Sequence, residues 1–362
     1  MVVGQLDAFS PDYATARNKF RGAVDQPGWM FDEHLLPEEG PAGESLTVDV
    51  LRYGVKGSRQ TLVISSGLHG VEGFFGSAVQ REALRLWTTR ARPRVNVVLI
   101  HSLNPFGFAW LRRSDAQNVD LNRNFLLDGE LYEGTHAAYS MLDGLLNPQR
   151  PPGRFDLFRL KALPLIARYG MPALRQAVAG GQYDYPRGLF FGGKRPASIQ
   201  QYLAEHLNDW LSDNDNVLHL DFHTGLGAHG QYKLLLDPPV CALDQNRMLE
   251  WFGAGVFEAS DTQGIAYKTR GGLGRWLASR RIVPNCLSIC AEFGTYGPTT
   301  VVAGLRAENQ AHYFLDANCP GFVRAKRRLK ELFCPHGSGW RTRGLRQGLK
   351  VIDQAETGLA RL

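Results

Sequence analysis

The chain has 362 residues, 44% of them hydrophobic and 21% charged, the balance of an ordinary globular protein with a sizeable core. Its 41 basic and 35 acidic residues leave a net charge of +6, too slight and too dispersed for a nucleic-acid binder, which carries a dense basic stripe with aromatic residues between the charges. No run approaches the roughly 18 apolar residues of a membrane span, and MVVGQLDAFSPDYATARNKF lacks the basic-then-apolar pattern of a secretory leader, so the expectation is a cytoplasmic protein.

Residues 10–25 read as a helix started by Ser10-Pro11-Asp12, and residues 37–43 as a loop. Residues 46–53 alternate as a strand does. The β-prone run at 61–66 ends in Ser65-Ser66-Gly67, and a helical spacing of apolar residues then runs over 72–88. A further apolar strand, VNVVLIH at 95–101, suggests a parallel pair joined by its crossover helix. Residues 104–125 are polar and loop-like. Residues 130–147 and 155–180 read as helices, the second kinked or broken at Pro164 and Pro172. GGQYDYPRGLFFGG at 180–193 reads as a loop, and 199–211 as a helix. Strands follow at 217–223 and 234–236, a helix at 244–259, a short helix at 271–279 and a strand at 286–293. Cys286 and Cys290 in this last run look like small buried residues. The five scattered cysteines form no disulfide framework, which favours reduced thiols. Residues 301–315 and 321–332 are helical. No repeat or composition break marks a linker, so a single domain is expected over 1–340, with 341–362 a basic appendage.

Three strand ends carry residues with chemistry. After the strand at 61–66, His69 and Glu72 stand three apart and face the same way on a helical turn. Imidazole and carboxylate are both good zinc ligands, but two do not close a site. His223, in LDFHTG at the end of its own strand, is the candidate third ligand, and Asp221 and His219 share its strand face. Glu292, at the end of the strand 286–291, is a carboxylate that would be costly to bury without a partner. Beside a metal it could take the proton of a water molecule. The bland alternative is a capping or salt-bridged Glu. Fourth is NVDLNRNF at 118–125, preceded by Arg112-Arg113. Asn122 and Arg123 could grip an anionic substrate end, although alone the loop would read as solvated and basic.

Taken in order, H-x-x-E, N-P-x-G, V-D-L-N-R-N-F, a strand-end His and a strand-end Glu resemble the zinc carboxypeptidase superfamily, including its aspartoacylase and succinylglutamate desuccinylase deacylases, over about residues 60–300. The resemblance implies an α/β three-layer sandwich with a mixed, twisted central sheet and helices on both faces. It implies one Zn2+ per chain on His69, Glu72 and His223, and Glu292 as general base and then acid. It implies that Asn122 and Arg123 hold the substrate's terminal carboxylate, that Asp120 orients His69, and that Arg112 or Arg113 polarises the scissile carbonyl. Tyr267, with Tyr296 as rival, stands where digestive carboxypeptidases carry a mobile Tyr. Departures are Asn104-Pro105-Phe106-Gly107 in place of N-P-D-G and a long segment between Arg123 and His223. Residues 183–193 of that segment could wall the pocket or form a structural Ω-loop.

The expected activity is hydrolysis of an amide bond next to a free carboxylate, most simply by a metallocarboxypeptidase acting on peptides. The runner-up is a deacylase of N-acyl amino acids, toward which the D-F-H-T-G form of the third-ligand motif leans. A zinc-holding binding protein without turnover is more remote, because Glu292 is present. The sequence leaves oligomeric state and substrate side chain open.

Overall fold

The computed structural model describes residues 7–22, 24–153, 156–236, 240–259 and 269–362. Eight strands form one mixed sheet in the order β1-β2-β4-β3-β5-β8-β6-β7. They are β1 Trp29–Glu39, β2 Ser45–Tyr53, β3 Gln60–Ser66, β4 Asn96–His101, β5 Asn216–Gly225, β6 Tyr232–Leu236, β7 Phe257–Ala259 and β8 Asn285–Gly294. The central strands β4, β3, β5 and β8 run parallel, and β2 and β6 flank them antiparallel. These central strands carry apolar residues on both faces because both faces are covered.

Alternation along each strand sorts the core into two layers. Leu62, Ile64, Leu218, Leu220 and Phe222 pack with Phe20 of α1 (Tyr13–Arg21), Phe75 and Val79 of α2 (Gly73–Thr89), and residues of two later helices. Val63, Val98 and Val217 face the other way, onto Leu203 and Leu207 of the helix Ser198–Leu211 and Trp276 of Leu273–Ser279. The α/β three-layer sandwich with a mixed sheet is therefore as expected from the sequence.

After β4 come α3 (Pro105–Ala109), α4 (Ala137–Leu146), α5 (Phe158–Tyr169), α6 (Met171–Ala179) and α7 (Ser198–Leu211). The break expected within 155–180 falls at Gly170, whose φ of 75° suits glycine. Pro164 stays inside α5, and Pro172 sits in the first turn of α6. Next are α8 (Ala242–Phe252), α9 (Leu273–Ser279), α10 (Pro298–Phe314), α11 (Pro320–Phe333) and α12 (Ser338–Leu359). The helix expected over 244–259 stops at Phe252, where Gly253 and Gly255 both take positive φ, and the chain resumes as β7.

Two further elements depart from the sequence reading more widely. β1 was not expected. It is an edge strand with alternating burial, rich in charge, and its register slips between Leu35 and Glu39, around Pro37. Charges and a proline-bearing bulge are devices that blunt an exposed edge, and they also mask the strand's pattern. Residues 341–362, expected as a basic appendage, instead belong largely to α12. Leu345, Val351, Ile352, Ala355 and Leu359 are buried in the main core, and Trp340 Nε1 donates to the carbonyl of Gly294, 2.9 Å away. Gly348 admits the helix to α2, since a Cβ there would stand 2.9 Å from Val79.

Burying one large aliphatic side chain stabilises by roughly 1.5–3 kcal/mol, so α12 contributes a large share of a domain's typical stability of about 5–15 kcal/mol. Ile352→Ala is expected to cost about 2–5 kcal/mol in denaturant unfolding. Deletion of 341–362 is expected to abolish the cooperative thermal transition, and a deletion protein that melts like the parent would show α12 to be dispensable.

Candidate metal centre

The parallel register of β3, β5 and β8 brings three strand ends side by side. β5 and β8 are aligned so that His223 stands directly opposite Glu292. β3 runs next to β5 and ends at Ser66, opposite Phe222. Just beyond it, His69 caps the 3-10 turn Gly70–Glu72 that leads into α2. Gly70 is required here: a Cβ on it would lie 2.1 Å from the backbone of Gly107. That close approach lets the N–H groups of Gly70 and Val71 bind the carbonyls of Arg113 and Arg112, at 3.2 and 2.7 Å. The arginine pair is thus tied to the turn bearing His69 and Glu72.

His69, Glu72 and His223 are all buried, and their donor atoms converge. His69 Nδ1 lies 2.9 Å from Glu72 Oε1, His223 Nδ1 lies 3.0 Å from Glu72 Oε2, and the two Nδ1 atoms are 3.1 Å apart. Ligands held tetrahedrally at about 2.0–2.1 Å from zinc stand roughly 3.3–3.4 Å from one another, so the three need spread by only a few tenths of an ångström to take an ion.

The outer nitrogens support that use. His223 Nε2 is 2.7 Å from Asp221 Oδ2, and His69 Nε2 is 3.2 Å from Asp120 Oδ1. At His223 that carboxylate places the proton on Nε2 and leaves Nδ1 as a lone pair for a metal; at His69 the Arg113 guanidinium also meets Nε2 and competes with Asp120 for it. Behind Asp221 the chain of contacts continues. Ser65 Oγ donates to Asp221 Oδ1 at 2.6 Å and lies 2.7 Å from His219 Nε2. His219 Nδ1 meets Ser288 Oγ at 2.8 Å. One set of protons satisfies every link: Ser288 donates to His219, His219 to Ser65, Ser65 to Asp221, and His223 also to Asp221. It requires neutral His219, and burial indeed lowers that imidazole's pKa.

Electrostatics favour a cation at the centre. Burial pushes the Glu72 carboxyl up, but His69 and His223 beside it more than reverse this and hold it far below the usual range. Burial opposes a charge on His223, yet Asp221 and Glu72 raise its pKa well above the ordinary value. Asp120 is likewise held low, Arg113, Arg123 and His69 outweighing its burial. Glu72, Asp120 and Asp221 thus stabilise positive charge between them, which a divalent ion would supply. Glu292 differs: burial, then the neighbouring Glu72, raise it to about 7. Its Oε1 accepts the N–H of Leu226 at 2.8 Å.

The remaining candidates divide. Arg113 belongs to the site, with Nη2 2.7 Å from His69 Nε2, Nε 2.9 Å from Asp120 Oδ2 and Nη1 3.4 Å from Glu72 Oε1. Arg112 turns the other way and is buried against Glu308 at 3.0 Å, where Lys326 also binds. Arg123 is fully buried; Nε and Nη2 donate to the carbonyl of Ala179 and Nη1 to that of Asn122. Asn122 Oδ1 accepts from Leu273 N at 3.1 Å. Arg123 therefore ties the end of α6 to the 120–124 turn, and neither it nor Asn122 lines the cleft. Tyr296 is half-buried and donates to Glu331, and Tyr267 lies outside the described residues. Of residues 183–193, Phe190 lines the cleft.

His69, Glu72, Arg113 and Glu292 open into a cleft of about 160 Å³ whose far walls are helices α4, α5, α6 and α10. The sequence reading missed these walls, as well as Ser65 and Ser288. A helical apolar spacing over 158–178 was present, but nothing local distinguished a cleft-facing stripe from a core-facing one.

Asp221→Asn is expected to weaken zinc affinity about 10- to 100-fold, read by competition with a chromogenic chelator. An unchanged affinity would remove the carboxylate from the role of orienting His223.

Among solved structures, thrombin-activatable fibrinolysis inhibitor matches over 96% of this chain and 73% of its own, at 10% identity and a TM-score of 0.52. Carboxypeptidase A from Helicoverpa armigera matches over 88% and 71%, at 12% identity and a TM-score of 0.47. The murein-tripeptide amidase MpaA from Escherichia coli O157 matches over 84% and 92%, at 16% identity and a TM-score of 0.37. No curated protein matches the chain. A family profile described as protein of unknown function (DUF2817) matches residues 9–347. The protein shares its fold with thrombin-activatable fibrinolysis inhibitor, and it belongs to the DUF2817 family.

Proposed function

We propose that the protein is a zinc-dependent hydrolase of amide bonds adjacent to a free carboxylate, with one ion on His69 Nδ1, Glu72 and His223 Nδ1. The observation that carries this reading is the convergence of those three buried donors beside a further carboxylate, Glu292, on the floor of an open cleft. Three protein ligands are the number that leaves a catalytic zinc a position for water or substrate.

His69, Glu72 and His223 would hold the divalent ion, which when bound would supply Lewis acidity toward the scissile carbonyl and water. Glu292 takes the proton from the attacking water as oxygen adds to the carbonyl carbon. It then returns that proton to the amide nitrogen as the C–N bond breaks, so amine and carboxylate leave. A carboxylate beside the three ligands and facing the cleft is placed for both transfers. The Leu226 N–H holds Glu292 Oε1 in place. Arg113, with its donors directed into the site, stabilises the oxyanion that develops. For His69 Nε2 to give its proton to Asp120, Arg113 must move off that nitrogen, which frees its Nη2 for the substrate oxygen. The sequence expectation placed Asn122 and Arg123 on the terminal carboxylate. Neither lines the cleft, whereas the cation Arg175 does and is the candidate for that anchor.

The simplest form of this activity is that of a metallocarboxypeptidase on peptides. The second is a deacylase of N-acyl amino acids, and the apolar walls of the cleft favour it.

Glu292→Gln is expected to retain zinc and lose at least about 10²–10⁴-fold in kcat, measured on whichever peptide or acyl amino acid the zinc-loaded parent hydrolyses. Parental turnover in the variant would sink the assignment of the base.

A further inference from the structure

The cleft has two unlike sides. Its floor carries the metal-centre residues. Its far wall is hydrocarbon, including Leu165 and Ile166 of α5, Leu174 and Val178 of α6, and Val302 and Leu305 of α10. Of these, Leu305 is buried and the other five are only half-buried. They line solvent-accessible space, not a closed core, and apolar surface gathered in a concave site marks a binding surface.

The wall is also long. Phe158, Ala162, Leu165 and Ile166 all line the cleft, and their spacing puts them on one face of α5 over about 12 Å of its axis. Met171, Leu174 and Val178 continue the surface on α6. A stripe of this length exceeds what a single amino-acid side chain fills. A peptide backbone laid along it would leave its N–H and C=O groups facing carbon, a desolvation without compensating hydrogen bonds. An aliphatic chain has no such groups and gains with every methylene removed from water. The charge pattern agrees. Residues 157–179 include Arg159, Lys161, Arg168 and Arg175 and no Asp or Glu, and Arg175 borders the cleft itself. The helices thus offer carbon to a chain and positive charge to a carboxylate.

We infer that the site takes N-acyl amino acids with long aliphatic acyl chains, the chain lying along α5, α6 and α10 and the amide reaching the metal centre. The cleavage part rests on the hydrolase reading above; the chain-binding part does not. Hydrolysis adds water across the amide and releases a long-chain carboxylate and the free amino acid.

The test uses the full zinc-loaded protein and N-acylglycines from acetyl to dodecanoyl, below the concentrations at which they form micelles. Binding is followed by calorimetry with Glu292→Gln, and kcat/KM with the parent. Affinity is expected to climb about three- to fourfold per methylene until the wall is covered, and kcat/KM to climb with it. Leu165→Gln and Leu174→Gln, each checked for parental thermal unfolding, are expected to lower dodecanoyl affinity by at least about tenfold and leave acetyl affinity unchanged. If a wall variant fails to fold, the chain-length series on the unmodified protein still decides. An affinity that does not depend on chain length overturns the inference, and the hydrolase reading survives if acetylglycine or polar peptides are cleaved. Chain-length-dependent binding that both wall variants abolish, with no hydrolysis of any member, upholds the chain site and overturns the hydrolase reading.

Discussion

The site depends on the parallel registration of three strands. β3, β5 and β8 are neighbours in the sheet; β5 and β8 end together at Gly225 and Gly294, and β3 ends at Ser66, level with Phe222. Each end releases a functional residue as the chain leaves the sheet: His69 and Glu72 after β3, His223 on β5 and Glu292 on β8. A slip of one residue in the β5–β8 register would send Glu292 to the opposite face, because strand side chains alternate. The hydrogen-bonded ladder therefore does more than hold the sheet together. It sets the separation of an imidazole and a carboxylate that come from positions 223 and 292 in the chain.

Burying that many ionisable groups is tolerable only because each has a partner. Four carboxylates (Glu72, Asp120, Asp221 and Glu292) are buried within a few residues of one another's contacts. Three of them are answered by His69, His223 or Arg113. Glu292 is answered least, and it is the carboxyl that burial pushes up. Groups that share one enclosure but differ in protonation are how acid and base roles are divided at a single pH. The line from Ser288 through His219 and Ser65 to Asp221 extends this order into the sheet. Each member has a single consistent proton position, so the orientation of His223 is fixed from behind.

The helices over the cleft belong to another physical regime. Their polar links to the segments beside the site include the Arg123 guanidinium on the carbonyl of Ala179 and Arg112 on Glu308 of α10. They present hydrocarbon on the cleft side, and Leu160 and Leu163 of α5 are exposed on the outside. The centre is rigid and polar, and what approaches it is selected by an apolar wall of separate origin in the chain. In the proposed activity, chemistry and selectivity would be carried by different segments, as expected where a scaffold hosts variable walls.

Much of this was readable from one-dimensional pattern. Apolar runs ending in Gly located the central strands, and H-x-x-E with a strand-end His and Glu picked out the residues that converge. Those signals are local, set by backbone periodicity and by chain breaks, and so they survive in the sequence. β1 was hidden because an edge strand needs charges and a bulge more than it needs an apolar face. The roles within Arg112-Arg113 and of Arg123 were beyond any local signal. Adjacent side chains point opposite ways, and which of them meets His69 and which meets Glu308 depends on how residues 104–113 dock on the Gly70 turn. The basic character of 341–362 likewise concealed a helix whose other face is core. The sequence by itself determined which chemical groups end the central strands. Only the tertiary structure decided which guanidinium faces the centre and what the helices between Arg123 and His223 enclose, because side-chain direction follows from long-range packing that no neighbouring residue records.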